Sequence, residues 1–356
     1  MEHSTKQLIL KLLNSIIIFG FFALLVFSIF LINLYMKINE TNKTEVIIQD
    51  INNLEVEYTE SNIKIEYGNT PKYLYEYIDC LNNGIKKDNF SKELNVKIFI
   101  LNNYLKSYSN KVQLAYTDIN TGFKINYNSN TKLFAASTTK APLALYIYML
   151  ADQGKIDLNK KYKYTKKYYA DGTGTIKNNK VNTDYSVRDL TKYSIIYSDN
   201  IAFLMLSDIV NKKDVSNYFK SKGTKYTFNS SNKSGLYQTF GELSANDGNI
   251  YMTELYKYSL NNSKNSNELL NYFKKASLNN IKLATNKDVA HKYGWTNKYV
   301  HDMGLVFDEN PYVITITSTL GDKNWGNVFK NIARQINDIH ESYWSETKQY
   351  CKNNLK

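Results

Sequence analysis

Apolar side chains recur every three or four positions along 91–108, through Leu94, Val96, Ile98, Phe99, Leu101 and Leu105. That spacing predicts a helix with one buried face. Two strand-like runs follow, 112–117 and 122–127, and Asp118-Ile-Asn-Thr-Gly122 between them reads as a hairpin turn. The long stretch 135–285 is mostly helical in pattern. It is broken by a loop around 171–175, whose glycines read as a turn, and by another from 223 to 241. Strand character returns at 288–295, 300–307 and 312–319, before an amphipathic helix at 325–343. This order predicts one α/β (α+β) domain over 89–350. Its antiparallel sheet draws on both ends of the chain and is flanked by terminal helices, with an all-helical region inserted in sequence.

Upstream the pattern changes. Residues 12–36 form a charge-free run of Ile, Leu, Phe and Val, and roughly 20 such residues span a bilayer as a helix. No small-residue cleavage site follows, so the run reads as an uncleaved N-terminal transmembrane helix rather than a signal peptide. The expected organisation is a short cytoplasmic tail (1–11), a transmembrane anchor (12–36), a polar stalk (37–88) with local structure near 54–58, and then the domain. Lys6 and Lys11 face Lys37 and Lys43 across the run. Charge bias therefore orients it weakly, and an extracytoplasmic domain on the cell membrane follows mainly from the chemistry below.

A formal charge of +12 raises the question of nucleic acid. The lysines are dispersed, however, and the densest basic patch, 160–167, is interleaved with tyrosines. A solvated face accounts for it and no nucleic-acid partner is expected; anionic wall polymers or lipid headgroups are a softer option. The two cysteines, Cys80 and Cys351, are too few for a cysteine metal site. They are either two thiols or, should the terminal helices pack side by side, a disulfide. The histidines at 3, 291, 301 and 340 lack metal-ligand spacing, so neither metal nor cofactor is expected.

Ser137-Thr-Thr-Lys140 opens an apolar run in which Pro142 sits in the first helical turn and Gly154 marks a stop. Ser137 and Lys140 would share one helix face where free backbone N–H groups converge, a sensible place for a nucleophile and its base. Ser-x-x-Lys also occurs at Ser230/Lys233 and Ser345/Lys348, so the pattern alone says little. Ser198-Asp199-Asn200 occurs once, between two apolar runs. Lys292-Tyr293-Gly294-Trp295 lies on a predicted strand, preceded by His291.

In order and interval, these three motifs resemble class A β-lactamases, within the β-lactamase and penicillin-binding protein superfamily, over roughly 90–345. The resemblance implies an active-site-serine hydrolase that forms an acyl-enzyme on β-lactams or on cell-wall amides ending in D-Ala-D-Ala. Ser137 would be the nucleophile, Lys140 a base beside Lys292, and Ser198 a proton relay. Lys292 would supply positive charge for a substrate carboxylate. Asn200 would bind the substrate amide, while Tyr293, Gly294 and Trp295 line the substrate strand. The N–H groups of Ser137 and Trp295 would form the oxyanion hole, and Asp199 would hold its turn. His291, His301 and Asp302 read as strand residues.

Two departures bear on turnover. The family's deacylating glutamate should fall in 227–234, which holds no acid; Glu242 is the nearest carboxylate and lies too far along. Tyr293 replaces the small hydroxyl residue that helps bind the β-lactam carboxylate. Slow deacylation is therefore expected. The alternative is a non-turnover penicillin-binding sensor or cell-wall binding module. Expected partners are a β-lactam or a peptidoglycan stem peptide, and the membrane.

Overall fold

Strand β1 (Glu55–Tyr58) and helix α1 (Lys72–Asn83) lie within the span expected as a stalk, and β1 joins the same sheet as the rest of the domain. Helix α2 (Lys92–Lys106) then starts where the Ser91 hydroxyl accepts the Leu94 N–H at 3.0 Å. β2 (Val112–Asp118) and β3 (Phe123–Tyr127) form the expected hairpin. The Asp118 carboxylate fastens its turn by accepting the backbone N–H and the hydroxyl of Thr121, both at 2.7 Å. A computed structural model describes residues 55–58, 72–228, 240–278, 280–321 and 324–354. The anchor expected at 12–36 and the middle of the 223–241 loop lie outside them. Among the described residues, no helix is long and apolar enough to cross a membrane.

The inserted segment begins with β4 (Leu133–Phe134), a turn of 3-10 helix at Ala136–Thr139 and α3 (Lys140–Asp152). It continues through β5 (Lys161–Lys163), β6 (Asp184–Ser186), α4 (Val187–Ile196), α5 (Asn200–Ile209) and α6 (Lys212–Ser221). After β7 (Glu242–Leu243) come α7 (Ala245–Ser259), α8 (Lys264–Lys274) and α9 (Asn280–Thr285). The chain then re-enters the sheet as β8 (Asp288–Trp295), β9 (Val300–Phe307) and β10 (Tyr312–Ser318), and closes with α10 (Trp325–Asn354). The strand order is β1-β3-β2-β10-β9-β8, with every pair antiparallel. β10 sits at the centre, pairing Ile314 with Tyr116 on one side and Gly304 on the other. Both chain ends thus build one sheet.

Two apolar clusters form. One joins α2 and α10 to the sheet through Leu94, Ile98, Phe123, Ile314, Phe329 and Tyr343. The other joins α3 to α8 with Ala290, Met303, Leu305 and Val313. Alternation along β9 and β10 is what separates the two sets, since successive strand residues point to opposite faces. Helix α10 runs beyond the expected 325–343, because its buried stripe continues through Trp344, Thr347 and Cys351 at helical spacing. Cys351 bonds to Cys80 of α1, so the open choice between a disulfide and two thiols resolves as a disulfide. Polar links also pin α10 to the sheet: the Trp344 indole donates to Asp118 at 2.6 Å, and the Tyr116 hydroxyl meets His340 Nδ1 at 2.8 Å. Burial pushes the Asp118 carboxyl up to about 6, against the donors from Thr121 and Trp344.

Candidate active site

The turn Ala136–Thr139 delivers Ser137 to the start of α3 and leaves it 8% exposed. Ala136, the preceding residue, has φ +48°, and Ser198 has φ +53°. Positive φ costs a non-glycine residue about 1–3 kcal/mol, and such strain persists where the surroundings over-determine the conformation. The surroundings here are specific. Thr138 donates its hydroxyl to the Ala135 carbonyl at 2.6 Å, and Ala135 N–H donates to Gly241 at 3.1 Å. His301 Nε2 meets the Phe134 carbonyl at 2.8 Å while its Nδ1 accepts the Ser318 N–H. Burial pushes His301 down to about 4, so near neutral pH it is an uncharged Nε2–H tautomer bracing the nucleophile turn.

Lys140 is fully buried and lies one turn on from Ser137. Its Nζ is 2.8 Å from Ser137 Oγ, 2.6 Å from the Ser198 carbonyl, 3.2 Å from Ser198 Oγ and 2.8 Å from Asn200 Oδ1. The Ser198 carbonyl and Asn200 Oδ1 can only accept, so they take two N–H groups, and a neutral amine would keep its lone pair for a hydroxyl proton. Burial, reinforced by the positive charge of Lys292 and opposed by Asp199, drives the Lys140 pKa well below the ordinary lysine value. The rings of Phe203 and Phe240, 5.8 and 5.3 Å from Nζ, supply the apolar wall.

Lys292 enters from β8, also fully buried, and donates to Ser198 Oγ at 3.0 Å and to the Tyr293 carbonyl at 2.9 Å. Burial lowers it to about 7, with Asp302 pulling the other way. The Ser198 hydroxyl therefore touches both lysines. Tyr293 is buried, its ring 4.2 Å from Lys292 Nζ and stacked at 6.4 Å on His291. His291 in turn meets Asp302 at 2.8 Å. Gly294 is required by close approach: a Cβ there would stand 2.9 Å from the Ala135 carbonyl and 3.0 Å from the Ser137 nitrogen. The next residue, Trp295, is half exposed.

The loop 171–175 proves to be a wall of this site, not a bare turn. Thr173 donates its hydroxyl to the Ser198 carbonyl at 2.7 Å, and Asn200 Nδ2 donates to the Asp171 carbonyl at 2.8 Å. Asp199 accepts the N–H groups of Thr175 and Ile176 at 2.6 and 2.9 Å, and caps α5 through Ala202 N–H. Gly174, at φ +115°, is needed because a Cβ would lie 2.3 Å from that carboxylate. The only sequence signal for this contact was an aspartate at a helix start with more acceptor capacity than its own cap uses. Glu242 lies on β7 opposite Phe134, 3.4 Å from Lys132. Among the described residues there is no cluster of potential metal ligands.

A family model described as "Beta-lactamase enzyme family" matches residues 99–340. No curated protein matches the chain. Among solved structures, a mutant of PBP-A captured as an acyl-enzyme with penicillin G is similar at 19% identity and TM-score 0.61, covering 68% of this chain and 96% of that one. A β-lactamase from Sphaerobacter thermophilus is similar at 19% identity and TM-score 0.59, covering 66% and 95%. The TLA-3 extended-spectrum β-lactamase is similar at 21% identity and TM-score 0.58, covering 67% and 98%. At such identities the likeness speaks for the fold, whereas the family model spans most of the chain. The chain belongs to the Beta-lactamase enzyme family.

Proposed function

We propose that the protein is an active-site-serine acyl-transferring hydrolase acting on β-lactams or on D-Ala-D-Ala-like wall amides, with slow release of the acyl group. The observation that carries this reading is the buried cluster of Ser137, Lys140, Ser198 and Lys292, joined through Ser198 Oγ. Neutral Lys140 takes the proton as Ser137 Oγ bonds to the carbonyl carbon. The N–H groups of Ser137 and Trp295, on the two strands of chain that Gly294 lets approach, stabilise the oxyanion. As the carbon–nitrogen bond breaks, Ser198 passes a proton from the lysine pair to the leaving nitrogen. Lys292, charged below about pH 7, attracts a substrate carboxylate. Asn200, now bonded to Lys140 and Asp171, would exchange one of those bonds for the substrate amide.

Slow deacylation follows from the composition of the loop. Residues 227–241 contain no aspartate or glutamate, and Glu242 is paired with Lys132. A long-lived acyl-enzyme also suits the second reading, a penicillin-binding sensor. The Cys80–Cys351 disulfide favours an oxidising, extracytoplasmic location, which fits an anchor at 12–36 in the cell membrane. Mass spectrometry after incubation with penicillin G tests the assignment. One intact penicillin should add to the peptide holding Ser137, and Ser137→Ala protein should gain nothing. A folded wild-type protein that stays unmodified, or a modified Ser137→Ala variant, would overturn it.

A further inference from the structure

Ser198 carries the contact between the two lysines, with Oγ 3.2 Å from Lys140 Nζ and 3.0 Å from Lys292 Nζ. Its backbone is poorly suited to hold that position unaided. It is the single residue between Tyr197, which caps the end of α4, and Asp199, which caps the start of α5, and its φ is +53°. Serine disfavours the left-handed region, so contacts from outside the turn must fix it there.

Three contacts fix the peptide that joins Ser198 to Asp199. Its N–H donates to the Tyr193 carbonyl at 3.1 Å. Its carbonyl accepts Lys140 Nζ at 2.6 Å and the Thr173 hydroxyl at 2.7 Å, which occupies both lone pairs of that oxygen. The two donors differ in kind. In the acyl-transfer reading, Lys140 takes the Ser137 proton and later gives one up, so its bond to the carbonyl is remade in every turnover. Thr173 takes no part in that traffic. The loop is also shaped to deliver its hydroxyl, because Thr173 lies between Gly172 at φ +94° and Gly174 at φ +115°. A Cβ on Gly172 would stand 2.8 Å from Asn200 Nδ2, and one on Gly174 would stand 2.3 Å from the Asp199 carboxylate. Two glycines thus let the loop press onto the Ser198-Asp199-Asn200 turn. The Thr173 carbonyl closes the contact by accepting the Asn200 N–H at 3.1 Å.

We propose that Thr173 is a positioning residue for acyl transfer: its hydroxyl holds the Ser198 peptide in the turn, so that Ser198 Oγ stays between the two lysines while the proton passes. The inference deepens the acyl-transfer reading and rests on it. Ser137 Oγ gives its proton to Lys140 as it bonds to the acyl carbon. When the carbon–nitrogen bond breaks, the nitrogen takes the Ser198 hydroxyl proton, and Ser198 is reprotonated from the lysine pair. That relay fails once Oγ turns away from a lysine. Substrate capture by Lys292, Asn200 and the oxyanion N–H groups does not use the Thr173 hydroxyl.

The test is made on the full chain. Thr173→Val replaces the hydroxyl by a methyl group, and Thr173→Ser keeps the hydroxyl. With penicillin, the limiting rate of acylation should fall about tenfold in Thr173→Val, while the concentration giving half that rate stays within about twofold. Thr173→Ser should restore most of the rate. In a Ser198→Ala background, Thr173→Val should change the rate by less than about twofold, because its influence runs through Ser198. Thr173→Ala, checked for folding by thermal melt, serves if the valine does not pack. A crystal structure of Thr173→Val reads the same claim without penicillin: Ser198 Oγ should have left hydrogen-bond reach of one lysine. The proposal is overturned by an unchanged rate, a loss that Thr173→Ser shares, or an equal loss in the Ser198→Ala background. A Ser198 that keeps both lysine contacts in the Thr173→Val crystal overturns it as well. Wild-type protein that penicillin leaves unlabelled would instead overturn the acyl-transfer reading, and the crystal structure would still decide what holds Ser198.

Discussion

The two faces of the central sheet are built on opposite principles. On the α2–α10 face, the buried groups are apolar rings in close contact, such as Phe123 stacked on Tyr343 at 4.3 Å, and a disulfide ties α10 to α1. On the other face, two lysines are taken wholly out of water, and Ala136 and Ser198 sit at positive φ. Burying a lysine costs several kcal/mol unless the group sheds its proton. The first face carries fewer groups that burial penalises, Asp118 and His340 among them; on the second they are the two lysines at the centre of the site. The difference teaches where this fold stores stability and where it spends it.

The largest expected effect lies on the second face. Lys140→Met should lower the rate of acylation by about 10³-fold or more, the scale on which removing a general base acts. It should also raise the melting temperature by a few degrees. The sign follows from linkage: a lysine held below its ordinary pKa costs the fold stability as pH drops under about 10.4, and Met carries no charge to bury. Penicillin-labelling kinetics beside a thermal melt check both halves at once. A rate loss accompanied by a lower melting temperature would erase the contrast between the faces.

On the first face the effects should be the reverse. Phe123→Ala should cost about 3–5 kcal/mol of stability by opening a cavity against Tyr116, Phe90 and Tyr343. Cys351→Ser should cost about 2–5 kcal/mol, read as a lower denaturation midpoint. At a temperature where the variants remain folded, both should acylate within about twofold of wild type. Acylation falling in proportion to stability would show that the two faces are not separable.

The smallest effect sharpens the account within the site. Acylation should rise with pH as Lys140 sheds its proton, then decline above about pH 7 as Lys292 loses its charge. Lys292→Arg should abolish the alkaline decline, because a guanidinium stays charged. A pH–rate profile of labelling decides this; an alkaline limb that survives the substitution assigns it to another group.

The face that is regular was legible along the chain. Helical spacing in 91–108 and alternation in 288–295, 300–307 and 312–319 predicted α2 and β8 to β10 within a residue or two, because periodic burial leaves a periodic pattern. The order of the three motifs pointed to the residues that meet around Ser198. What stayed hidden was contact across long separations. Nothing near 171–175 says that Thr173 reaches the Ser198 carbonyl, 25 residues on. The short ladders β4–β7 and β5–β6 have too few residues to show alternation. The pairing of Cys80 with Cys351 depended on packing that neither segment encodes alone.

The central claim is that this site acylates readily and deacylates slowly, because the lysine pair is complete and the loop at 227–241 lacks an acid. A time course of labelled penicillin on the full chain tests it most directly, with unreacted reagent removed once labelling is complete. Label that appears quickly and persists for hours is the predicted result. Label lost within minutes, with penicillin consumed in many-fold excess over protein, would contradict the account and require a deacylating base that these residues do not supply.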